Sequence, residues 1–238
     1  MKSKEHLMEV VSKGCKERRQ YLTDFFKHVP NAVAEEFRYA EIKENEKIIS
    51  VGEPCDVVYI VLEGDVKGVD YYKTGVAYSF MDFSEMFILG EYELFSGEKE
   101  HLVSVYADTD CKVLKISANR YLNWIQHDEN ALFLRLKNIL QTLPKERKRE
   151  REYLRMGCRE RVISYLVHFY EKNIKTVSKN GAVKIRLTQA ELSEKVGFNI
   201  RSVQRVIASL EAAKMVSIES GKMVLSYEQY LKLSDEIE

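Results

Sequence analysis

Thr188–Leu210 reads TQAELSEKVGFNIRSVQRVIASL. Thr188 and Glu191 have the spacing of a capping box, in which a hydroxyl accepts from the amide three residues on and the glutamate reaches back. They predict a helix over Gln189–Lys195. Gly197 follows, suited to a sharp turn that needs positive φ, and Asn199 is a good N-cap for a second helix. Leu192, Val196, Phe198, Val203 and Val206 are apolar where two packed helices need them, and Ser193 is small where they approach. This is the pattern of a helix-turn-helix.

On the second helix, Val203, Val206, Ile207 and Leu210 are expected to face inward, which turns Arg201, Ser202, Gln204 and Arg205 outward near its N-terminal end. Arginine pairs bidentately with guanine and glutamine with adenine in the major groove, and a helix N-terminus suits a phosphate. Val216–Ile218, then Glu219–Lys222, then Met223–Leu225 read as strand, turn and strand, a wing with Lys222 at its tip. The expected DNA-binding set is Thr188, Gln189, Asn199, Arg201, Ser202, Gln204, Arg205 and Lys222. Upstream, Arg159–Tyr170 reads as an amphipathic support helix through Val162, Ile163, Leu166 and Phe169.

Charge agrees with that placement. The chain has 37 basic and 37 acidic residues and a net charge of zero, but they are unevenly spread. Cys158–Leu233 carries 13 Lys/Arg against 7 Asp/Glu, a basic C-terminal part on an acidic body, as contact with a polyanion by that part alone requires. Apolar residues make up 45% and charged residues 31%, ordinary for a folded soluble chain. The longest apolar run, Val57–Leu62, is far too short to cross a membrane. Met1–Val10 is charged and lacks a signal-peptide core, so a cytoplasmic location is expected. Cys15, Cys55, Cys111 and Cys158 are far apart without a C-x-x-C pair and read as free thiols.

Toward the N-terminus, Lys145–Arg155 is mostly charged and reads as a solvated helical linker, with Gly157 as a hinge. Leu132, Leu136, Ile139 and Leu143, widened by Phe133 and Leu140, form a heptad-like stripe that predicts a long helix, either pairing two chains or lying on its own β domain, or both with one face on each. Pro144 lies inside that pattern and predicts a kink or break. Lys47–Val51, Val57–Leu62, Val66–Tyr72, Val76–Phe80, His101–Tyr106 and Lys112–Ile116 are short apolar runs separated by turn residues, read as strands of a β-roll or sandwich. Residues 1–40 look helical, with Leu22, Phe25, Phe26 and Val29 on one side. The expected class is α+β, an N-terminal β domain, a long dimerisation helix and a C-terminal winged helix-turn-helix. The expected domains are 1–127, the β domain with its N-terminal helix; 128–156, dimerisation helix and hinge; and 157–238, DNA-binding.

VYIVLEGDVK at Val58–Lys67, LGEYELFS at Leu89–Ser96, and the helix-turn-helix with its TQAEL start and VQRVI centre together resemble the cyclic AMP receptor and fumarate-nitrate reductase regulator family (CRP/FNR). The resemblance covers nearly the whole chain and implies that 1–127 is an effector-sensing β-roll, a jelly roll of the cyclic-nucleotide-binding type. It implies a homodimeric transcription regulator that binds a palindromic operator on double-stranded DNA, touches RNA polymerase and answers a small-molecule effector. In that family a segment beginning Gly-Glu cradles a ligand phosphate and an Arg-Ser pair grips it. Gly90 and Glu91 match the beginning; His101 and Leu102 stand where Arg and Ser would be. The expected effector-binding set is therefore Gly90, Glu91, His101 and Leu102, with Tyr78, Phe80, Tyr92 and Phe95 as aromatic lining. An anionic cyclic phosphate loses a charge-assisted contact without that arginine, so the effector is expected to be absent or something other than cyclic AMP. The family's Arg-Glu-…-Arg reader becomes Ile200-Arg201-…-Arg205, which implies a different operator. Neither metal nor cofactor is expected, since His101 alone among the histidines lies in the roll and metal-binding rolls need clustered ligands; an enzyme is not expected. The alternative is a ligand-binding signalling module of the same roll without DNA contact, which has no need of the Thr188–Leu210 spacing.

Overall fold

The computed structural model describes residues 3–71, 77–82, 87–173, 182–185 and 187–237. The chain divides into two compact units, Met1–Asp70 with Met81–Arg147, and Tyr71–Phe80 with Lys148–Glu238.

In the first unit the N-terminal forty residues are mostly helical, as α1 (Lys4–Ser12), α2 (Lys16–Phe25) and α3 (Asn31–Ala34). The helical expectation overruns at its end, because β1 (Arg38–Ile42) already pairs antiparallel with the last strand of the roll. The remaining strands are β2 (Lys47–Ile49), β3 (Val57–Glu63), β4 (Val66–Tyr71), β5 (Ala77–Asp82), β6 (Ile88–Leu89), β7 (Ser104–Ala107) and β8 (Cys111–Ser117), of which Tyr71 and β5 up to Phe80 are grouped with the second unit. They form two antiparallel sheets, β1-β8-β3-β6 and β2-β7-β4-β5. The two sheets put Ile60, Val61, Val105, Val113 and Leu114 into one core with Leu7, Leu22, Phe25 and Phe26 of the N-terminal helices. Two short helices break the strand series: α4 (Glu91–Ser96), and α5 (Ala118–His127) directly after β8. Trp124 of α5 packs against Phe25 and Phe26 with ring centroids 5.0 and 5.7 Å away. Its indole N–H donates to Asp128 at 3.0 Å, and the other Asp128 oxygen accepts from the Ala131 amide at 3.0 Å. Asp128 thereby starts the long helix α6 (Glu129–Arg155).

Pro144 does not break α6, which runs through it. Proline removes one amide donor and crowds the preceding turn, but its fixed φ is itself helical. The helix continues when its neighbours carry the one missing bond. More telling is how α6 is faced. Ala131, Arg135 and Thr142 are buried, whereas Leu132, Phe133, Leu136 and Leu140 are 43, 65, 51 and 57% exposed. Apart from half-buried Leu134, which packs on the core, the inward side is small or polar while the outward side is apolar, the reverse of a helix that only serves its own core.

The second unit contains α7 (Cys158–Asn173), β9 (Val183–Lys184), α8 (Gln189–Val196), α9 (Ile200–Ala212), β10 (Ser217–Glu219), β11 (Lys222–Leu225) and α10 (Tyr227–Asp235). Its sheet has the order β10-β11-β9. Val162, Ile163 and Leu166 of α7, Leu192 and Val196 of α8, and Val203, Ile207 and Leu210 of α9 share a core with Leu225 and Leu233. Tyr230 of α10 stacks on Tyr170 of α7 at 4.6 Å.

Candidate DNA-reading surface and effector cradle

The reading surface begins with two capped helices. The Thr188 hydroxyl accepts from the Glu191 amide at 3.2 Å, while the Glu191 carboxylate accepts from the Thr188 amide at 2.7 Å. α8 ends at Gly197, whose φ of +70° lies where a side chain is strained. The amides of Gly197 and Phe198 both donate to the Ser193 carbonyl, at 3.0 and 3.2 Å, which closes the turn. Asn199 then caps α9, its side-chain oxygen accepting from the Ser202 amide at 3.0 Å.

α9 buries Val203, Ile207 and Leu210. Arg201, Gln204 and Arg205 are exposed and Ser202 is half-buried. Positions 201, 204 and 205 lie on one side of a 3.6-residue period, so the two guanidiniums and the amide share a stripe at the N-terminal half of the helix. Val206 is only half-buried, so it contributes less to the core than its neighbours. Thr188, Gln189 and Asn199 lie at the two helix starts, and Ile200, next to Asn199 in the chain, is 40% exposed. In the wing, Ser220 and Gly221 have φ of +50° and +75°, a turn whose twist suits a two-residue hairpin, and exposed Lys222 pairs across from Glu219. All eight residues of the expected DNA-binding set thus lie in one compact unit.

The cradle lies in the other unit and is built differently. Gly90 precedes α4 with φ +82°, and a side chain there would meet the Val57 carbonyl oxygen at 2.8 Å. This lets the chain turn directly under β3. Glu91, the next residue, is 3% exposed. Its carboxylate accepts from the Tyr121 hydroxyl at 2.6 Å and from the Arg135 Nε, 3.0 Å from each oxygen. Arg135 Nη2 closes the pair with a short ion contact to the same carboxylate. The other end of the guanidinium donates to the Tyr21 hydroxyl and to Asn138, both at 2.9 Å, and lies over the rings of Tyr21 and Phe87 at 5.8 and 5.9 Å. Burial alone disfavours a charged Arg135, but the Glu91 carboxylate more than offsets it and holds the guanidinium protonated. Burial, reinforced by Glu91, pushes the Tyr121 hydroxyl well up, so it remains a donor.

His101 lies in the loop before β7, not in the strand expected over His101–Tyr106. It is 5% exposed, with Nδ1 3.4 Å from a Glu93 oxygen that also faces the Leu102 amide at 3.4 Å. Burial raises the Glu93 carboxyl, yet the His101 contact and the backbone amides outweigh it and hold it below its ordinary value. The four expected effector residues therefore come together, but Glu91 and His101 are directed at Arg135 and Glu93, and the Leu102 side chain is half exposed. Tyr92 and Phe95 are 60 and 39% exposed, and the side chains of Tyr78 and Phe80 lie outside the described residues. Tyr21, Tyr121 and Arg135 were not expected here. A polar residue within the period of α6, at Arg135, was the signal that could have pointed to them.

Cys15, Cys55, Cys111 and Cys158 are all free, and burial pushes the Cys111 thiol up to about 11, leaving it an inert part of the core. Among the described residues no group of His, Cys, Asp and Glu is arranged to hold a metal, and no helix is long and apolar enough to cross a membrane.

Residues 40–128 match the model of the cyclic nucleotide-binding domain, and residues 160–233 match that of the Crp-like helix-turn-helix domain. The cAMP-activated global transcriptional regulator CRP of Salmonella typhimurium is 22% identical over 180 residues, 76% of this chain and 85% of that protein. Among solved structures, the c-di-GMP-responsive global regulator CLP of Xanthomonas campestris superposes with a TM-score of 0.70 at 20% identity, covering 81% of this chain and 95% of that one. A CRP/FNR-family transcriptional regulator of Thermus thermophilus gives 0.66 at 22% identity, over 83% of this chain and 98% of that one. The helix-turn-helix match favours a DNA-binding regulator over a ligand-binding module without DNA contact, and the family is one of regulators rather than enzymes. With both domain models matched in this order over more than half its length, the chain belongs to the CRP/FNR family of DNA-binding transcription regulators.

Proposed function

We propose that the chain acts in the cytoplasm as a homodimer on a palindromic operator and that cyclic AMP does not control it. The observation that carries this reading is the difference in what the two candidate sites leave available. Arg201, Gln204, Arg205 and Lys222 are exposed on one DNA-facing unit, whereas both oxygens of the Glu91 carboxylate are already held by Tyr121 and Arg135. A nucleotide reaching Glu91 would have to displace a buried, charge-assisted bond, and His101 offers no fixed guanidinium for the phosphate. The exposed apolar side of α6 supplies the surface for a second copy, so that two reading helices face two half-sites. In this reading residues 1–127 form the roll, 128–156 the pairing helix and hinge, and 157–238 the DNA-binding part. Thr188, Gln189, Asn199 and Lys222 position the protein on phosphates, and Arg201, Ser202, Gln204 and Arg205 meet base edges. RNA polymerase is the downstream partner, and any effector at Gly90, Glu91, His101 and Leu102 is less anionic than a cyclic nucleotide.

Selection of duplexes from a random pool, with and without micromolar cyclic AMP or cyclic GMP, tests this. The expected product is an inverted repeat whose affinity neither nucleotide changes, with two chains per duplex by sedimentation. Selection of a single half-site by a monomer, or tighter binding on adding either nucleotide, overturns it.

A further inference from the structure

Arg161 lies in the first turn of α7, outside the residues that face DNA. Its amide donates to the Gly157 carbonyl at 3.1 Å, one of the first bonds of that helix. Its guanidinium reaches in the other direction. Nη1 donates to the Val196 carbonyl at 3.2 Å, and the group lies over the Phe198 ring with Cζ 5.2 Å from the centroid. Val196 is the last residue of α8, and its carbonyl is one of those a helix leaves without an internal partner. Phe198 immediately precedes Asn199, the cap of α9. Between the two contacts stands only Gly197, the residue in the left-handed conformation. One side chain therefore grips the connector on both sides of its conformationally freest residue.

We propose that Arg161 is a positioning residue for base reading: by fixing the Val196–Phe198 connector it sets where α9 starts, and so where Arg201, Gln204 and Arg205 present their donors. Base-edge contacts fail with displacements that phosphate contacts tolerate, because a bidentate pair needs both its hydrogen bonds in line. A planar guanidinium can stack on a ring and donate in its own plane at once. A lysine ammonium, which keeps the charge near the α8 C-terminus, has no plane with which to do both. The assignment rests on the DNA-binding reading of this unit, and the test separates the two.

The full-length chain is titrated with two duplexes of equal length, one selected by the wild type from a random pool and one with the same bases scrambled. Arg161→Lys is expected to lose roughly tenfold on the selected duplex and less than about twofold on the scrambled one. Phe198→Leu keeps the apolar contact but removes the ring, and it should show a loss of the same kind. The double variant should lose less than the product of the two, since both remove one clamp. Equal losses on both duplexes make Arg161 a support of the fold and not of base reading, and overturn the proposal; so does no loss on either. A wild type that enriches no sequence overturns the DNA-reading assignment itself, and this one with it.

Discussion

The cradle and the reading surface are both made of charged and polar side chains near the start of a helix, yet they use their bonding capacity in opposite ways. At the start of α4, Glu91 is turned inward and its carboxylate is filled by Tyr121 and Arg135. At the start of α9, Arg201, Gln204 and Arg205 are turned outward into solvent. Burying a charge costs several kcal/mol or more unless it is paired, so the inward group arrives with its partners. Exposed guanidiniums incur no such cost and keep their donors for a ligand that comes from outside. Residue type alone therefore does not mark a binding site; what marks it is whether the valence is already used.

The comparison breaks most visibly at Arg135. Arg135→Ala leaves Glu91 buried without its counterion and should cost about 3–5 kcal/mol in urea unfolding of the full chain. Joint replacement as Arg135→Met with Glu91→Leu should recover most of that, because it removes both charges and not only one. An Arg135→Ala protein as stable as the wild type would mean that Glu91 is in fact solvated. At Arg205 the sign of the lesson reverses. Arg205→Ala should leave unfolding within about 0.5 kcal/mol of the wild type and weaken the selected operator by ~1–3 kcal/mol, with relaxed preference at one base position. An equal loss on scrambled DNA would reduce Arg205 to a phosphate contact. The smallest effect belongs to Thr188, whose hydroxyl is already committed to the Glu191 amide. Thr188→Ala should lower stability by about 1 kcal/mol, and operator affinity should fall little in comparison with Arg205→Ala. Because Thr188 is placed on a phosphate, that small loss should be the same on selected and scrambled duplexes, and no loss on either would take it off the DNA.

The same contrast explains what could be read from the chain alone. The helix-turn-helix was legible because its signals are local: the Thr188/Glu191 box, Gly197, Asn199 and the inward apolar positions all lie within Thr188–Leu210. The Ser220-Gly221 turn of the wing was legible for the same reason, whereas the turn expected at Lys73-Thr74-Gly75 lies outside the described residues. The Ser226/Gln229 capping box that opens α10 is equally local, and attention to it would have predicted that helix. The bonds of Glu91 are another matter. Tyr121 and Arg135 are 30 and 44 positions away and come from two different helices, with Tyr21 on a third closing the far side of the guanidinium. No periodicity joins them; only the closure of the roll does. Sequence resemblance could align Glu91 with a ligand-holding position, but not show that its bonding capacity was already taken. At Pro144 the break allowed by a strong local signal did not occur, because the helix runs on through it.

α6 turns Leu132, Phe133, Leu136 and Leu140 outward while Arg135 and Thr142 face its own unit. A chain built this way carries a standing dependence on mass action. If two copies cover that stripe in pairing, part of the folded state's free energy belongs to an encounter between molecules, and the concentration of pairs able to span two half-sites rises with the square of the monomer concentration while pairs are scarce. The cell's copy number then becomes an input to the switch in its own right: with no metabolite bound, doubling synthesis of the regulator would change operator occupancy more than twofold in the dilute regime.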